Sequence, residues 1–434
     1  MTRKMKDSGI EWIGVIPEDW ETTRIGGLYS LRNTKVSDID YPPLSVTMKG
    51  IMPQLETAAK TNDHNNRKLV KKDDFVINSR SDRRGSCGIS TLDGSVSLIN
   101  IVLSPNEMMN PEYYNWVFTN PSFSDEFYKW GNGIVDDLWT TNWNKMKNIN
   151  VPHPDLETQK IIANYLNDKV SSIESLLIEI NEEIENLENY KKSVITEAVT
   201  KGLDKNVEMK DSGIEWIGKI PKHWKVLRIK NAALLKARIG WQGLRSDEFM
   251  TEPNLPYLVT GTDFNNGLVD WDNCVRISEK RFEMDKNIQI KENDLLITKD
   301  GTIGKLAIAK NCPDKASLNS GVFVMRNQGP YKYVDKYMYY LLQSEQFYLW
   351  FELNDAGNST IRHLYQRDFY NFSFTYPEIK EQNQIVDYLD KKTKLIDDSI
   401  AIKQKQLETL EEYKKSLIYE YVTGKKEVKD GEES

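Results

Sequence analysis

The sequence predicts an α+β protein. It reads as two mixed α/β domains and two long coiled-coil helices, related by a pseudo-two-fold internal repeat. Three observations lead there. The stretch Lys6-Asp-Ser-Gly-Ile-Glu-Trp-Ile-Gly-Val-Ile-Pro17-Glu-Asp-Trp20 returns as Lys210-Asp-Ser-Gly-Ile-Glu-Trp-Ile-Gly-Lys-Ile-Pro221-Lys-His-Trp224, an offset of 204 residues. Pro154-Asp-Leu-Glu-Thr-Gln159 and Tyr190-Lys-Lys-Ser193 return as Pro377-Glu-Ile-Lys-Glu-Gln382 and Tyr413-Lys-Lys-Ser416, an offset of 223. Apolar residues recur at alternating spacings of four and three after each Pro-to-Gln motif, the signature of a helical seam. A period this long excludes a solenoid and points to two tandem halves. The offsets differ by 19 residues, so the extra length lies in the middle of the second half.

The opening motif is apolar and aromatic through Ile10, Trp12, Ile13, Ile16 and Trp20, and Gly14 and Pro17 stop it from running on as a helix. It reads as a short docking segment, residues 1–21, with its second copy inside a 203–225 linker. Residues 22–153 form the first divergent domain. Pro43–Val46, Asp74–Ile77 and Ser97–Leu103 read as strands, and Tyr113–Trp130 as helix broken at Asn120-Pro121. Residues 226–376 repeat that order. Pro256–Val259, Asp294–Ile297 and Gly321–Arg326 read as strands, and Tyr333–Phe351 as helix.

The long helices are expected at 154–202 and 377–424. The first seam runs through Leu166, Val170, Ile173, Leu177, Ile180, Ile184, Leu187 and Val194, with Lys191 in the remaining slot. The second runs through Leu389, Thr393, Ile396, Ile400, Lys403, Leu407, Leu410, Lys414 and Leu417. Gln159 to Val199 as helix would span about 60 Å. Each helix alone would expose an apolar stripe, and the other helix is its obvious partner. An intermolecular coil is the alternative. Thr393, Lys403 and Lys414 either fix register or face a third helix. Gly202 and Gly424 mark the helix ends, and 425–434 reads as a disordered tail.

Composition narrows the function. The net charge is −7 and the pI about 5.5, which argues against a generic polyanion binder. Three scattered cysteines fit a reducing cytoplasm without disulfides. No signal peptide or membrane span is evident. The four histidines have no metal-ligand spacing and read as surface or loop residues. No catalytic constellation stands out. Asp40-Tyr-Pro-Pro43 lacks the order of an amino-methyltransferase loop, because Tyr41 intervenes and Leu44 follows. Gly301-Thr-Ile-Gly-Lys305 lacks the first glycine and the Ser/Thr of a phosphate loop. What recurs in both halves is polar, glycine-bearing loops after strands: Thr47–Gln54 and Asn78–Gly85, then Thr260–Gly267 and Thr298–Lys305. Glycine permits close backbone approach, and Lys and Arg reach phosphates or guanine edges.

The chain resembles the specificity subunit of a type I restriction–modification system over nearly its whole length. The resemblance rests on the opening Ile-Glu-Trp-Ile-Gly-x-Ile-Pro-x-x-Trp, on Asp294-Leu-Leu-Ile-Thr-Lys-Asp-Gly-Thr-Ile-Gly304, and on Pro-x-x-x-x-Gln at the head of each long helix. It implies two target-recognition domains, each reading half of a split double-stranded DNA site. It implies that the long helices pack antiparallel, set the spacer and receive two methyltransferase subunits, which nuclease-translocase subunits then join. S-adenosylmethionine, ATP and Mg would belong to those partners, and this chain would be non-catalytic and cytoplasmic. The expected DNA contacts are Lys49, Arg80, Arg83 and Arg84 in the first domain and Gln242, Arg245, Lys299, Lys305 and Arg362 in the second. Arg83-Arg84 departs from the Asp-Gly-Thr of the second half, which leaves the first loop's geometry open. A coiled-coil scaffold without DNA, and a self-sufficient enzyme with an unrecognised site, remain as alternatives.

Overall fold

The computed structural model describes residues 3–56, 64–133, 139–239, 243–354 and 362–429. The chain divides into two compact units. The first comprises Met1–Asn181 with Gln404–Ser434, and the second Glu182–Lys403. The division falls inside both long helices rather than at their ends.

Each unit is built on a sheet with both faces buried, antiparallel throughout in the first and with one parallel pair, Leu268–Val269 beside Leu306–Ile308, in the second. In the first, the strand order is Cys87–Ile89, Phe75–Asn78, Asn100–Pro105, Tyr29–Leu31. Phe75 and Ile77 point into the aromatic core with Tyr114, Phe118 and Phe123, while Val76 and Val102 point into a smaller cluster with Val70 and Val96. A strand covered on both faces must be apolar at every position, so its sequence is a continuous run rather than an alternation. The second unit repeats the arrangement. Leu295 and Ile297 join Phe347 and Trp350, and Leu296 joins Val259 and Leu318. Register repeats as well: Phe75 faces Leu103, and Leu295 faces Met325.

The break expected at Asn120-Pro121 within Tyr113–Trp130 is present: the segment is two helices, Pro111–Thr119 and Pro121–Lys129, the second starting at its proline with Asn120 as cap. The helix expected over Tyr333–Phe351 is also interrupted, as Asp335–Leu341 and Glu345–Asn354. Residues 47–54, expected as a loop, belong to a hairpin that pairs Leu44–Thr47 with Gly50–Pro53.

The long helices are Leu156–Lys201 (46 residues) and Ile379–Val422 (44 residues). The Pro-to-Gln motif that starts each has a physical role. Gln159 donates Nε2–H to the Pro154 carbonyl (2.8 Å), and its Oε1 accepts the Asn110 N–H (2.9 Å). Gln382 does the same with Pro377 (2.9 Å) and Val334 (2.8 Å). One buried amide thus ties each long helix to the head of a shorter one, Pro111–Thr119 or Asp335–Leu341.

Leu166, Ile173, Leu177, Leu389, Ile396 and Leu417 are buried. Ile180, Ile184, Leu187, Ile400, Leu407 and Leu410 are half-buried, and the flanking acidic positions are exposed. Ion pairs fix an antiparallel register within each unit. Lys414 reaches Glu174 at 2.7 Å in the first, and Lys191 reaches Asp397 at 2.7 Å and Lys403 pairs with Glu183 in the second. Lys403 and Lys414 therefore set register across the pair, whereas Thr393 turns to the Tyr340 hydroxyl (3.2 Å) of the adjoining domain.

The docking segments cross over. Each begins as a hairpin, Met5–Asp7 with Val15–Pro17 and Met209–Asp211 with Lys219–Pro221. The first copy, through Trp12, Ile13, Ile16 and Trp20, packs with Leu417, Ile418 and Val422 at the end of the second helix. The second copy, through Ile217, Ile220 and Trp224, packs with Val194, Ile195 and Val199 at the end of the first. Residues 425–429 depart from the expected disorder. Lys425 donates to the Ile13 carbonyl (3.1 Å), and Val428 packs on the core. The rest of that tail, 430–434, lies outside the described residues.

The three cysteines are free, and burial pushes the Cys87 thiol up to about 12. No helix among the described residues is long and apolar enough to cross a membrane.

Candidate nucleic-acid interface

In the first unit the turn after Phe75–Asn78 is closed by the Asn78 N–H donating to the Ser86 carbonyl (2.9 Å). Inside it sits a single 3-10 turn, Ser81–Arg83. Ser81 is buried and anchored: its N–H donates to Trp139 O (2.9 Å), and its hydroxyl accepts the Trp139 N–H (3.0 Å). Anchoring Ser81 turns Arg80, Arg83 and Arg84 outward, and all three are exposed. Arg84 pairs with Asp125 (3.1 Å) and lies over the Tyr128 ring. Arg80 and Arg83 each come within 3.9 Å of Asp82.

Two grooves flank this turn. One, of about 650 Å³, is lined by Arg80, Lys68, Asn142, Trp143 and Asn144. The other, of about 540 Å³, is lined by Arg83, Arg84, Thr47, Met48 and Gln54. Lys49 is exposed at the tip of the neighbouring hairpin, its N–H bonded to Thr47 Oγ1 (3.1 Å). The expected cations of the first unit are thus one turn and one adjacent hairpin. Arg67 lies beneath them, with its guanidinium donating to Ser95 Oγ (2.8 Å) and O (3.0 Å).

In the second unit Thr298 closes the corresponding turn. Its N–H donates to Lys305 O, and its Oγ1 accepts the Lys305 N–H, both at 2.9 Å. Lys305 is exposed. Lys299 is not an open cation: its Nζ donates to Asp300 Oδ2 at 2.8 Å, and its side chain is 22% exposed. The other Asp300 oxygen receives His363 Nδ1 at 2.7 Å. Burial alone would push the Asp300 carboxyl up, but the hydrogen bonds from Lys299 and His363 hold it below the usual carboxylate range. Arg362 is exposed beside His363. Arg245 belongs to a separate segment, where its backbone N–H donates to the Glu248 carboxylate (3.0 Å), which also pairs with Arg281 (2.9 Å). Gln242 lies outside the described residues.

The two sites superpose in logic. Arg80 bridges Thr140, and Asp300 bridges His363. Thr141 N–H donates to Ser79 O, and Leu364 N–H donates to Lys299 O, both at 2.9 Å. Arg80 and Asp300 therefore hold equivalent backbone positions with opposite charge. Sequence reasoning missed Asp300 and His363, which lie 63 residues apart with no local pattern joining them. No histidine is idle: His64 pairs with Asp38, His153 with Tyr114 and His223 with Glu381. Among the described residues no group of three or more His, Cys, Asp or Glu could hold a metal ion.

Comparison with known proteins agrees with this architecture. The family model for the type I restriction modification DNA specificity domain matches residues 17–186 and 221–412. The chain is 25% identical over 443 residues to the putative type I restriction enzyme MjaX specificity subunit of Methanocaldococcus jannaschii, covering 96% of each chain. It is 25% identical over 433 residues to the MjaVIII specificity subunit of the same organism, covering 96% of this chain and 95% of that one. A chain solved in work on complex assembly and conformational transition of the type I R-M system shares the fold, with a TM-score of 0.69 at 15% identity, over 94% of this chain and 98% of that one. With both matched segments falling on the repeated sheets and the helices that follow them, the chain belongs to the type I restriction–modification DNA specificity family, as a specificity subunit with two recognition domains.

Proposed function

We propose that each recognition domain reads one half of a bipartite double-stranded DNA target, that the paired helices set the spacer between the halves, and that the same helices dock two methyltransferase subunits. Nuclease-translocase subunits join that core in the cytoplasm. Catalysis belongs to the partners, which carry S-adenosylmethionine, ATP and Mg. The observation that carries this reading is one scaffold used twice, with the turn after the central strand presenting Arg80, Arg83 and Arg84 in one copy and Lys305 with Arg362 in the other. Cations on strand-end turns reach phosphates and base edges, while a single chain with two unlike copies matches an asymmetric site. The overall charge of −7 leaves part of the phosphate contact to the methyltransferase subunits.

Lys49 and Lys305, with Arg80, Arg83, Arg84, Arg245, Arg362, Lys299 and Gln242, are the proposed DNA-contacting set. Mapping modified positions in genomic DNA exposed to the assembled complex should give one split consensus with a fixed gap. Lys49→Ala and Lys305→Ala should each lower affinity for that site about threefold to tenfold, and lower the salt slope by about one. Modification without any split consensus overturns the reading, and unchanged affinity in both variants overturns the turn assignment.

A further inference from the structure

Resting on that reading, we propose that His363 is a base-reading residue of the second recognition domain, and that its Nε2 accepts a hydrogen bond from the exocyclic amine of adenine or cytosine. Three observations place it there. The Asp300–His363 bridge sits where the first domain has Arg80–Thr140, and Arg80 is exposed along a groove. His363 Nδ1 lies 2.7 Å from Asp300 Oδ1, so in the neutral tautomer that this contact selects Nδ1 carries the proton and Nε2 is left as an acceptor. Nε2 has no hydrogen-bond partner among the described residues, and the side chain is 37% exposed.

In the major groove only adenine N6 and cytosine N4 present an amine donor. An acceptor at Nε2 therefore selects those two bases over guanine and thymine. Asp300 is the positioning residue. Lys299 holds one carboxylate oxygen at 2.8 Å, which leaves the other to orient the ring. Tyr365 lies against the imidazole, with ring centroids 5.9 Å apart, and limits its rotation.

The arrangement makes Asp300→Asn informative. Lys299 can only donate, so it retains the amide oxygen and turns the amide NH2 toward the ring. His363 must then accept at Nδ1 and carry its proton on Nε2. The preference should switch from bases with an exocyclic amine to bases with an exocyclic oxygen in its place, guanine O6 or thymine O4.

The test is methylation mapping with the complete complex carrying wild-type chain, His363→Ala or Asp300→Asn. In the wild type one base pair of one half-site should be specified, with adenine or cytosine on the strand that His363 reads. His363→Ala should relax discrimination at that position about 10-fold or more, with the other half-site unchanged. Asp300→Asn should move the same position to guanine or thymine. An unchanged consensus in His363→Ala overturns the inference whatever Asp300→Asn does, including loss of folding in that variant. A wild-type complex that yields no split consensus defeats the functional reading instead, so the two failures are distinguishable.

Discussion

At the residue scale, the two domains solve the same local problems with matched pairs. Asp74 is buried at the head of its strand, accepts the Lys71 N–H (2.8 Å), and takes the Arg32 guanidinium. Asp294 does the same with Lys291 (2.8 Å) and Arg326. A buried carboxylate needs such partners, since an unpaired charge there would cost several kcal/mol. Other carboxylates follow a simpler rule. Asp155 is held below the usual range by Thr158, side chain first and then backbone N–H. Asp93 is held down by Lys71 and the Lys72 N–H, and Asp300 by Lys299 and His363 against the upward push of burial. A carboxyl depressed in the folded state stabilises above its unfolded value of about 4 and loses that contribution as pH falls through the lower folded value. Stability should therefore be flat through neutrality and decline below about pH 4, which thermal unfolding across pH checks. A decline beginning near pH 6 would contradict it.

At the element scale, helix ends are where sequence signals met tertiary packing. Gly202 and Gly424 have φ of +75° and +70°, the left-handed conformation that ends a helix without penalty only for glycine. Both also lie under a tryptophan of a docking segment. A Cβ on Gly424 would come within 2.5 Å of Pro17 Cδ and 3.0 Å of Trp20, whereas one on Gly202 would meet Trp224 at 3.1 Å. Gly202→Ala should cost about 1–2 kcal/mol from backbone strain. Gly424→Ala should cost more, because a proline ring cannot yield as a flexible side chain does. Chemical denaturation of both variants ranks them, and equal costs would show that the packing is irrelevant. In the seam, Ile180 is half-buried, with Glu179 before it and Glu182 and Glu183 shortly after. Ile180→Asp places a charge there, at roughly 3 kcal/mol, and should abolish co-purification with the methyltransferase. Normal assembly would rule out the seam as the pairing surface.

At the scale of the whole molecule, the first unit is discontinuous in sequence. Its core takes Leu417, Ile418, Tyr421 and Val422 from the end of the second helix, with Leu407 and Leu410 packed against it. The second unit is one continuous stretch, Glu182–Lys403. A chain ending at Lys403 should therefore keep a protease-resistant fragment of 182–403 while residues 1–181 are degraded. Equal resistance of both parts would show that the last helical turns are dispensable to the first unit.

The repeat was legible as near-identical stretches 204 residues apart, and the seam and the Pro-to-Gln helix starts because each depends on neighbours within a few positions: a 3.5-residue period, or a side chain bonded to a carbonyl five residues back. The strands Phe75–Asn78 and Leu295–Thr298 were legible too, as short apolar runs between turn clusters, whereas their burial on both faces was not. The crossing of the docking segments was not, since Trp20 and Gly424 are joined only by the path of the chain. Nor was the pairing of Asp300 with His363, or the exchange of Arg80 for Asp300 at one backbone position. Local spacing set which elements form, and only long-range closure decided which side chains meet at their ends.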